Sequence, residues 1–225
     1  MAYKTRILIA DDHQLVIQGI LLSLKEVGDF DVVTTNTCDA AFKLLKENQQ
    51  TNPFQILFID LSFDACEQGM ELVDGEDLIK ALKKQGIAVK VCVITAHSET
   101  NRVFNVIRNL SPDAYLLKSK CTSSEIGFAI QKMLKNECYY THEIHEKMMR
   151  RNIVQIQMDD IALQILKELP NHPKIINLEG VIRKSDGTSI KLRSIEAKLA
   201  NLRIDLNANN NIDLILKAKK LGIID

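Results

Sequence analysis

The chain has no CxxC pair, no apolar run approaching the ~20 residues that a membrane helix needs, and no net charge, with 29 Lys and Arg against 29 Asp and Glu. Each absence excludes something. The five cysteines (Cys38, Cys66, Cys92, Cys121 and Cys138) are dispersed along the chain. An odd, scattered set is not a disulfide framework and points to a reducing compartment. The opening MAYKTRILIA is too short an apolar stretch for a signal peptide, and Asp11-Asp12 cut it off. A cytoplasmic protein without membrane contact is therefore expected. Zero net charge favours neither a nucleic acid nor an acidic lipid surface as a bulk partner. Internal repeats and low-complexity tracts are missing too.

What is present is ordinary globular material: 225 residues, 46% hydrophobic and 26% charged, enough for two compact domains. The halves differ in charge. Residues 1–150 hold 17 basic against 20 acidic side chains, a net of −3, and residues 151–225 hold 12 against 9, a net of +3. That sign pattern suits an acidic, metal-binding half joined to one that can meet phosphates.

From Arg6 to about Asn136, short apolar runs alternate with amphipathic stretches five times. The runs are Ile7-Leu8-Ile9-Ala10, Asp31-Val32-Val33, Ile56-Leu57-Phe58-Ile59, Val91-Cys92-Val93-Ile94 and Ala114-Tyr115-Leu116-Leu117. They mostly lack alternation, as strands buried on both faces of a parallel sheet do. Between them, Val16-Ile20-Leu24-Val27, Ala41-Leu44-Leu45, Leu78-Leu82, Val103-Ile107-Leu110 and Ile126-Ala129-Ile130-Met133 mark helical faces. The last helix opens with Thr122-x-x-Glu125, a capping-box pattern. The expected fold is a doubly wound α/β domain with a five-stranded parallel sheet, followed by a small all-α domain. Residues 1–137 form the first domain, 138–157 a linker with one short helix around His142–Arg150, and 158–225 the second. The second is read as four short helices: Ile161 to Leu169, a short one near Leu178–Ile182, a long one holding Ile195, Leu199, Leu202 and Leu206, and a last one holding Ile212, Ile215 and Leu216. With the turn Lys184-Ser185-Asp186-Gly187, they fit a helix-turn-helix module.

In doubly wound folds ligands bind at the carboxyl ends of the strands. Strand one delivers Asp11 and Asp12 there, strand three Asp60, strand four Thr95 and strand five Lys118. Three carboxylates in one mouth repel one another unless a cation joins them, and oxygen ligands favour Mg²⁺, with Mn²⁺ as the alternative. A carboxylate beside such an ion can attack phosphorus and form an aspartyl phosphate. Lys118 then offers a point charge to a phosphoryl oxygen, and the Thr95 hydroxyl can donate to another.

The segments Ile7-Leu8-Ile9-Ala10-Asp11-Asp12-His13, Leu57-Phe58-Ile59-Asp60-Leu61, Val93-Ile94-Thr95-Ala96 and Tyr115-Leu116-Leu117-Lys118-Ser119 resemble receiver domains of two-component response regulators. The resemblance covers residues 5–136. It implies that Asp60 accepts a phosphoryl group from a sensor histidine kinase. It also implies that Asp11, Asp12, Asp60 and the main-chain carbonyl of Ser62 hold the metal, and that Thr95 and Tyr115 move on phosphorylation. One departure stands out: the family's Asp-Gly after the acceptor arrives late, as Asp74-Gly75. The intervening loop of residues 62–73 is long and brings Asp64, Glu67, Glu71, Asp74, Glu76 and Asp77 towards an already anionic site. Such a loop is either a solvated insertion or a partner-selecting gate.

The C-terminal stretch resembles a diverged LuxR/NarL-type DNA-binding domain, with Ile195 through Leu206 as recognition helix. Two positions which that family uses for DNA contact fall on Glu196 and Lys198, and the turn before the helix is longer than the family pattern. Lys184, Lys191, Arg193 and Lys198 are the candidate DNA contacts, with Lys191 and Arg193 at the helix start where groove contacts are made. The expected function is a DNA-binding transcriptional regulator, not an enzyme beyond slow loss of its own phosphoryl group, that dimerises on phosphorylation. The alternative is a phosphorylation-switched protein-interaction module that does not bind DNA. His142-x-x-His145 has helical ligand spacing but lacks a supporting ligand set. His97, near the mouth, reads as a loop histidine.

Overall fold

The computed structural model describes residues 4–64 and 71–224, with side chains described for all of these except residues 150–157. The chain divides into two compact units, residues 1–98 with 105–144, and residues 99–104 with 145–225.

In the first unit the apolar runs become strands β1 (Arg6–Ala10), β2 (Asp31–Thr35), β3 (Ile56–Ile59), β4 (Lys90–Thr95) and β5 (Ala114–Leu117). Helices α1 (Gln14–Val27), α2 (Cys38–Asn48), α3 (Gly75–Gln85), α4 (Thr100–Leu110, divided between the units) and α5 (Ser123–Leu134) alternate with them. All strands pair in parallel, in the order β2-β1-β3-β4-β5, with a further strand beyond β5. Burial explains the lack of sequence alternation: β3 and β5 are buried at every position. Ile7, Ile9, Ile56, Phe58, Cys92, Ile94, Ala114 and Leu116 pack with Ile17, Ile20 and Leu24 of α1 and with Ile126, Ala129, Ile130 and Met133 of α5. The intervening positions turn to the other face. β2, at the edge, keeps no fully buried residue.

That further strand corrects the five-stranded expectation. Tyr139–Tyr140 (β6) pairs in parallel with β5. Two residues carry no readable period, so tertiary contacts decide it. Tyr139 N–H donates to Asp113 O, Tyr139 Oη to Glu125 Oε2 and Tyr140 Oη to Pro112 O. The bond to Glu125 leaves the capping box half made. Thr122 Oγ1 accepts the Glu125 amide as expected, but the Glu125 carboxylate serves Tyr139. The segment read as a linker thus begins as a sheet edge, and it continues as one helix, α6 (His142–Gln157). The boundary between the units falls inside it, after the buried Ile144.

The second unit contains α7 (Asp160–Glu168), α8 (Leu192–Asp205) and α9 (Asn211–Lys220) around a core that includes Ile165, Leu166, Leu178, Ile182, Ile195, Leu199, Leu202 and Leu214. The short helix expected near Leu178–Ile182 is instead a 3-10 turn at Ile175–Leu178. Gly180, at φ +90°, takes the chain out of it, and a bridge between Arg183 and Ser189 closes a hairpin around the Lys184–Gly187 turn. Of the residues read for α9, Ile215 packs against the core, whereas Ile212 and Leu216 are exposed, and Leu214 and Ala218 are buried in their place.

Candidate phosphoryl-transfer site

The sheet order reverses direction at β1, which lies between β2 and β3, and the crevice at such a point opens beyond the strand ends. There the chain places Asp11 and Asp12 after β1, Asp60 after β3, Thr95 at the end of β4 and Lys118 after β5. Asp11, Asp60 and Thr95 are buried. Lys118 Nζ lies 2.6 Å from Asp60 Oδ2 and 2.8 Å from Asp11 Oδ2, bridging the two carboxylates. Burial pulls the Lys118 ammonium down, but hydrogen bonds and charge from Asp11 and Asp60 outweigh it and hold the group above its ordinary value. The second Asp60 oxygen accepts the Leu61 amide at 2.7 Å. Both Asp60 carboxylate oxygens are therefore oriented by charge-assisted bonds.

Asp12 differs. Its Oδ2 accepts the Asp64 amide, while its Oδ1 is buried without a directed hydrogen bond. His13 Nδ1 is 2.7 Å from that oxygen, and the neighbouring Asp12 carboxylate holds the imidazole above its usual value. Among the described residues, Asp11, Asp12, His13 and Asp60 bring ligand atoms within 4.8 Å of one another. Three carboxylates, Asp11, Asp12 and Asp60, converging at one buried mouth suit a hard divalent cation, which the sequence reading assigned to Mg²⁺.

Tyr115 is fully buried and donates its hydroxyl to His97 O at 3.2 Å, so the aromatic lies on the inward side. Thr95 Oγ1 accepts the His97 amide at 3.3 Å. Ser62 Oγ meets His97 Nε2 at 2.7 Å.

The acidic loop is less of a burden than its composition implied. Asp74 caps α3 by accepting the Asp77 amide, Asp77 pairs with Lys80, and the Asp64 side chain is exposed. Glu67, with the rest of residues 65–70, lies outside the described residues. Two site contributors escaped the sequence reading. Asp39, at the start of α2, accepts the Glu71 and Leu72 amides and anchors the returning end of the loop. Gly75 packs so closely on Asp60 that an added Cβ would lie 2.0 Å from Asp60 O. The Asp74-Gly75 pair was the available signal for Gly75; nothing local announces Asp39.

In the second unit Lys184, Lys191 and Arg193 are exposed, with Lys191 at the N-terminal end of α8. Lys198 is engaged elsewhere: its ammonium pairs with the Asp159 carboxylate that caps α7.

The response regulator receiver domain profile matches residues 7–131. The response regulator protein VraR of Staphylococcus saprophyticus is 22% identical over 97% of this chain and 98% of its own. The oxygen regulatory protein NreC of Staphylococcus haemolyticus is 22% identical over 98% and 99%. Among solved structures, the response regulator RcsB of Salmonella typhimurium aligns with a TM-score of 0.61 at 19% identity, covering 95% of this chain and 97% of that one. RcsB in a structure of two dimers bound to two parallel DNAs gives 0.61 at 19%, covering 97% and 99%. At that identity the likeness is one of fold. By the match over residues 7–131, more than half its length, the chain belongs to the response regulator receiver domain family.

Proposed function

We propose that this response regulator takes a phosphoryl group on Asp60 from a sensor histidine kinase and uses it to switch DNA binding by the C-terminal unit. The observation that carries the chemistry is the buried Asp60 carboxylate, held at one oxygen by Lys118 and at the other by the Leu61 amide, beside the Asp11 and Asp12 carboxylates. An Asp60 oxygen attacks phosphorus in line, the kinase imidazole leaves with its electron pair, and the N–P bond is replaced by O–P. Lys118 moves its charge from the carboxylates to a phosphoryl oxygen, and Thr95 donates its hydroxyl to another. Asp11, Asp12, Asp60 and the Ser62 carbonyl are the residues that would hold Mg²⁺, which supplies charge neutralisation at the transferring group.

DNA binding is supported by the +3 charge of residues 151–225, by the exposed Lys184, Lys191 and Arg193, and by the fold shared with the DNA-bound RcsB. RcsB binds as dimers in that structure, and phosphorylation-dependent pairing of two copies on half-sites is proposed here as well. The committed Lys198, the exposed Glu196 and the exposed Ile212 and Leu216 favour a second reading, in which α8 and α9 contact protein. Binding of labelled genomic fragments, with and without a phosphoryl mimic and Mg²⁺, over a salt series decides between them. Salt-dependent binding that tightens with the mimic supports the DNA reading. No binding in either state at low salt moves the C-terminal unit to protein recognition.

A further inference from the structure

His97 touches three of the residues that the phosphoryl-transfer chemistry needs. It follows Thr95 by two residues, on the loop leaving β4. Its main-chain N–H donates to Thr95 Oγ1 at 3.3 Å, and its carbonyl accepts the Tyr115 hydroxyl at 3.2 Å. Its ring Nε2 is 2.7 Å from Ser62 Oγ, on the loop that leaves the acceptor strand. Thr95 and Tyr115 are fully buried, so neither can shift without disturbing the loop that carries His97.

We propose that His97 is a positioning residue which, through its ring, holds the Ser62 loop in register with Thr95 and Tyr115, so that the metal-facing and phosphoryl-facing groups are set as one unit. The inference rests on the reading of Asp60 as acceptor and of the Ser62 carbonyl as a metal-facing group. The division of labour within the residue is physical. Thr95 oxygen accepts the His97 amide, which leaves the hydroxyl proton for an acceptor in the mouth. The ring's bond to Ser62 Oγ ties the stretch that carries the Ser62 carbonyl to the loop leaving β4. Removing the ring therefore takes away one tie on the loop after Asp60 while both main-chain bonds to Thr95 and Tyr115 remain available. A side chain that merely filled space would not be linked in this way to one particular hydroxyl.

The test is a double-mutant cycle on the full chain, with His97→Ala, Ser62→Ala, the double variant and His97→Gln. Two quantities are read: affinity for Mn²⁺ without phosphodonor, from the electron paramagnetic resonance signal of the free ion, and the rate of phosphate incorporation from a small acyl phosphate. Losing one partly buried hydrogen bond corresponds to about a 2- to 10-fold change. Each alanine variant is expected to weaken Mn²⁺ binding and slow labelling by that factor. The double variant should be no worse than either single one, and His97→Gln, which can still bond Ser62 Oγ, should restore most of the loss. Wild-type Mn²⁺ affinity in both alanine variants would overturn the proposal, as would losses that multiply in the double variant. Ser62→Ala guards against a folding defect in His97→Ala, since it removes the same bond from an ordinary loop position. A wild-type chain that takes up no label refutes the acceptor reading itself, and the Mn²⁺ measurement still judges the coupling.

Discussion

Gly75 opens α3 with its amide donating to Leu61 O and its Cα against the acceptor's main chain. A methyl group there would meet Asp60 O at 2.0 Å and Leu61 Cα at 3.0 Å, both of them backbone that cannot rotate away. Gly75→Ala is expected to cost about 1–3 kcal/mol in chemical denaturation, as overpacking does. By displacing the acceptor it should also slow phosphate uptake by about 100-fold. Wild-type stability together with wild-type labelling would remove Gly75 from the site. The contrast between Gly75 and Asp60 marks what a sequence reveals at this scale. Asp11, Asp12, Asp60, Thr95 and Lys118 each follow directly on an apolar run, so strand logic alone places them at one edge. The roles of Asp39, Gly75 and His97 come from close approaches between distant segments, which leave no local pattern.

Among the elements, strands and helices with a clear period were legible, and those that tertiary contacts decide were not. β6 is two residues long. The 3-10 turn at Ile175–Leu178 replaces a helix because Gly180 and the hairpin take the chain away. α9 carries apolar side chains at Ile212, Leu214, Ile215, Leu216 and Ala218, and packing chooses Leu214 and Ala218 for burial. Asp159 shows how an element boundary is secured. It accepts the Ala162 amide at 2.8 Å as the N-cap of α7 and pairs with Lys198 of α8. Asp159→Ala should destabilise the C-terminal unit by about 1 kcal/mol in urea melts, the usual loss of a capping side chain; an unchanged midpoint would deny the cap its role. The pair with Lys198 and the Ala162 amide hold the Asp159 carboxyl below its ordinary value. A lowered folded-state value gives stability that is present above the unfolded value and is lost as pH falls through the folded one. The wild-type unit should thus lose more stability than the variant on acidification below the usual carboxylate range. The start of α8 carries a separate expectation. Lys191→Glu with Arg193→Glu should weaken DNA binding and reduce the slope of log affinity against log salt by about two. An unchanged slope would place the DNA contacts elsewhere.

For the molecule as a whole, the charge division already visible in the sequence follows the two units: the acidic mouth lies in the first and the exposed Lys184, Lys191 and Arg193 in the second. Phosphorylation can shift a pre-existing equilibrium only by as much as the phosphoryl group distinguishes its states. Tyr115 lies inward, hydrogen-bonded to His97 O, so the chain's own groups can hold the inward arrangement. All of this depends on Asp60 being the acceptor. The most direct measurement is phosphate incorporation from a small acyl phosphate with Mg²⁺, read by intact mass in wild type and in Asp60→Asn. One phosphoryl group per wild-type chain and none on the variant is the predicted result. Equal labelling of the two proteins would contradict the account at its centre.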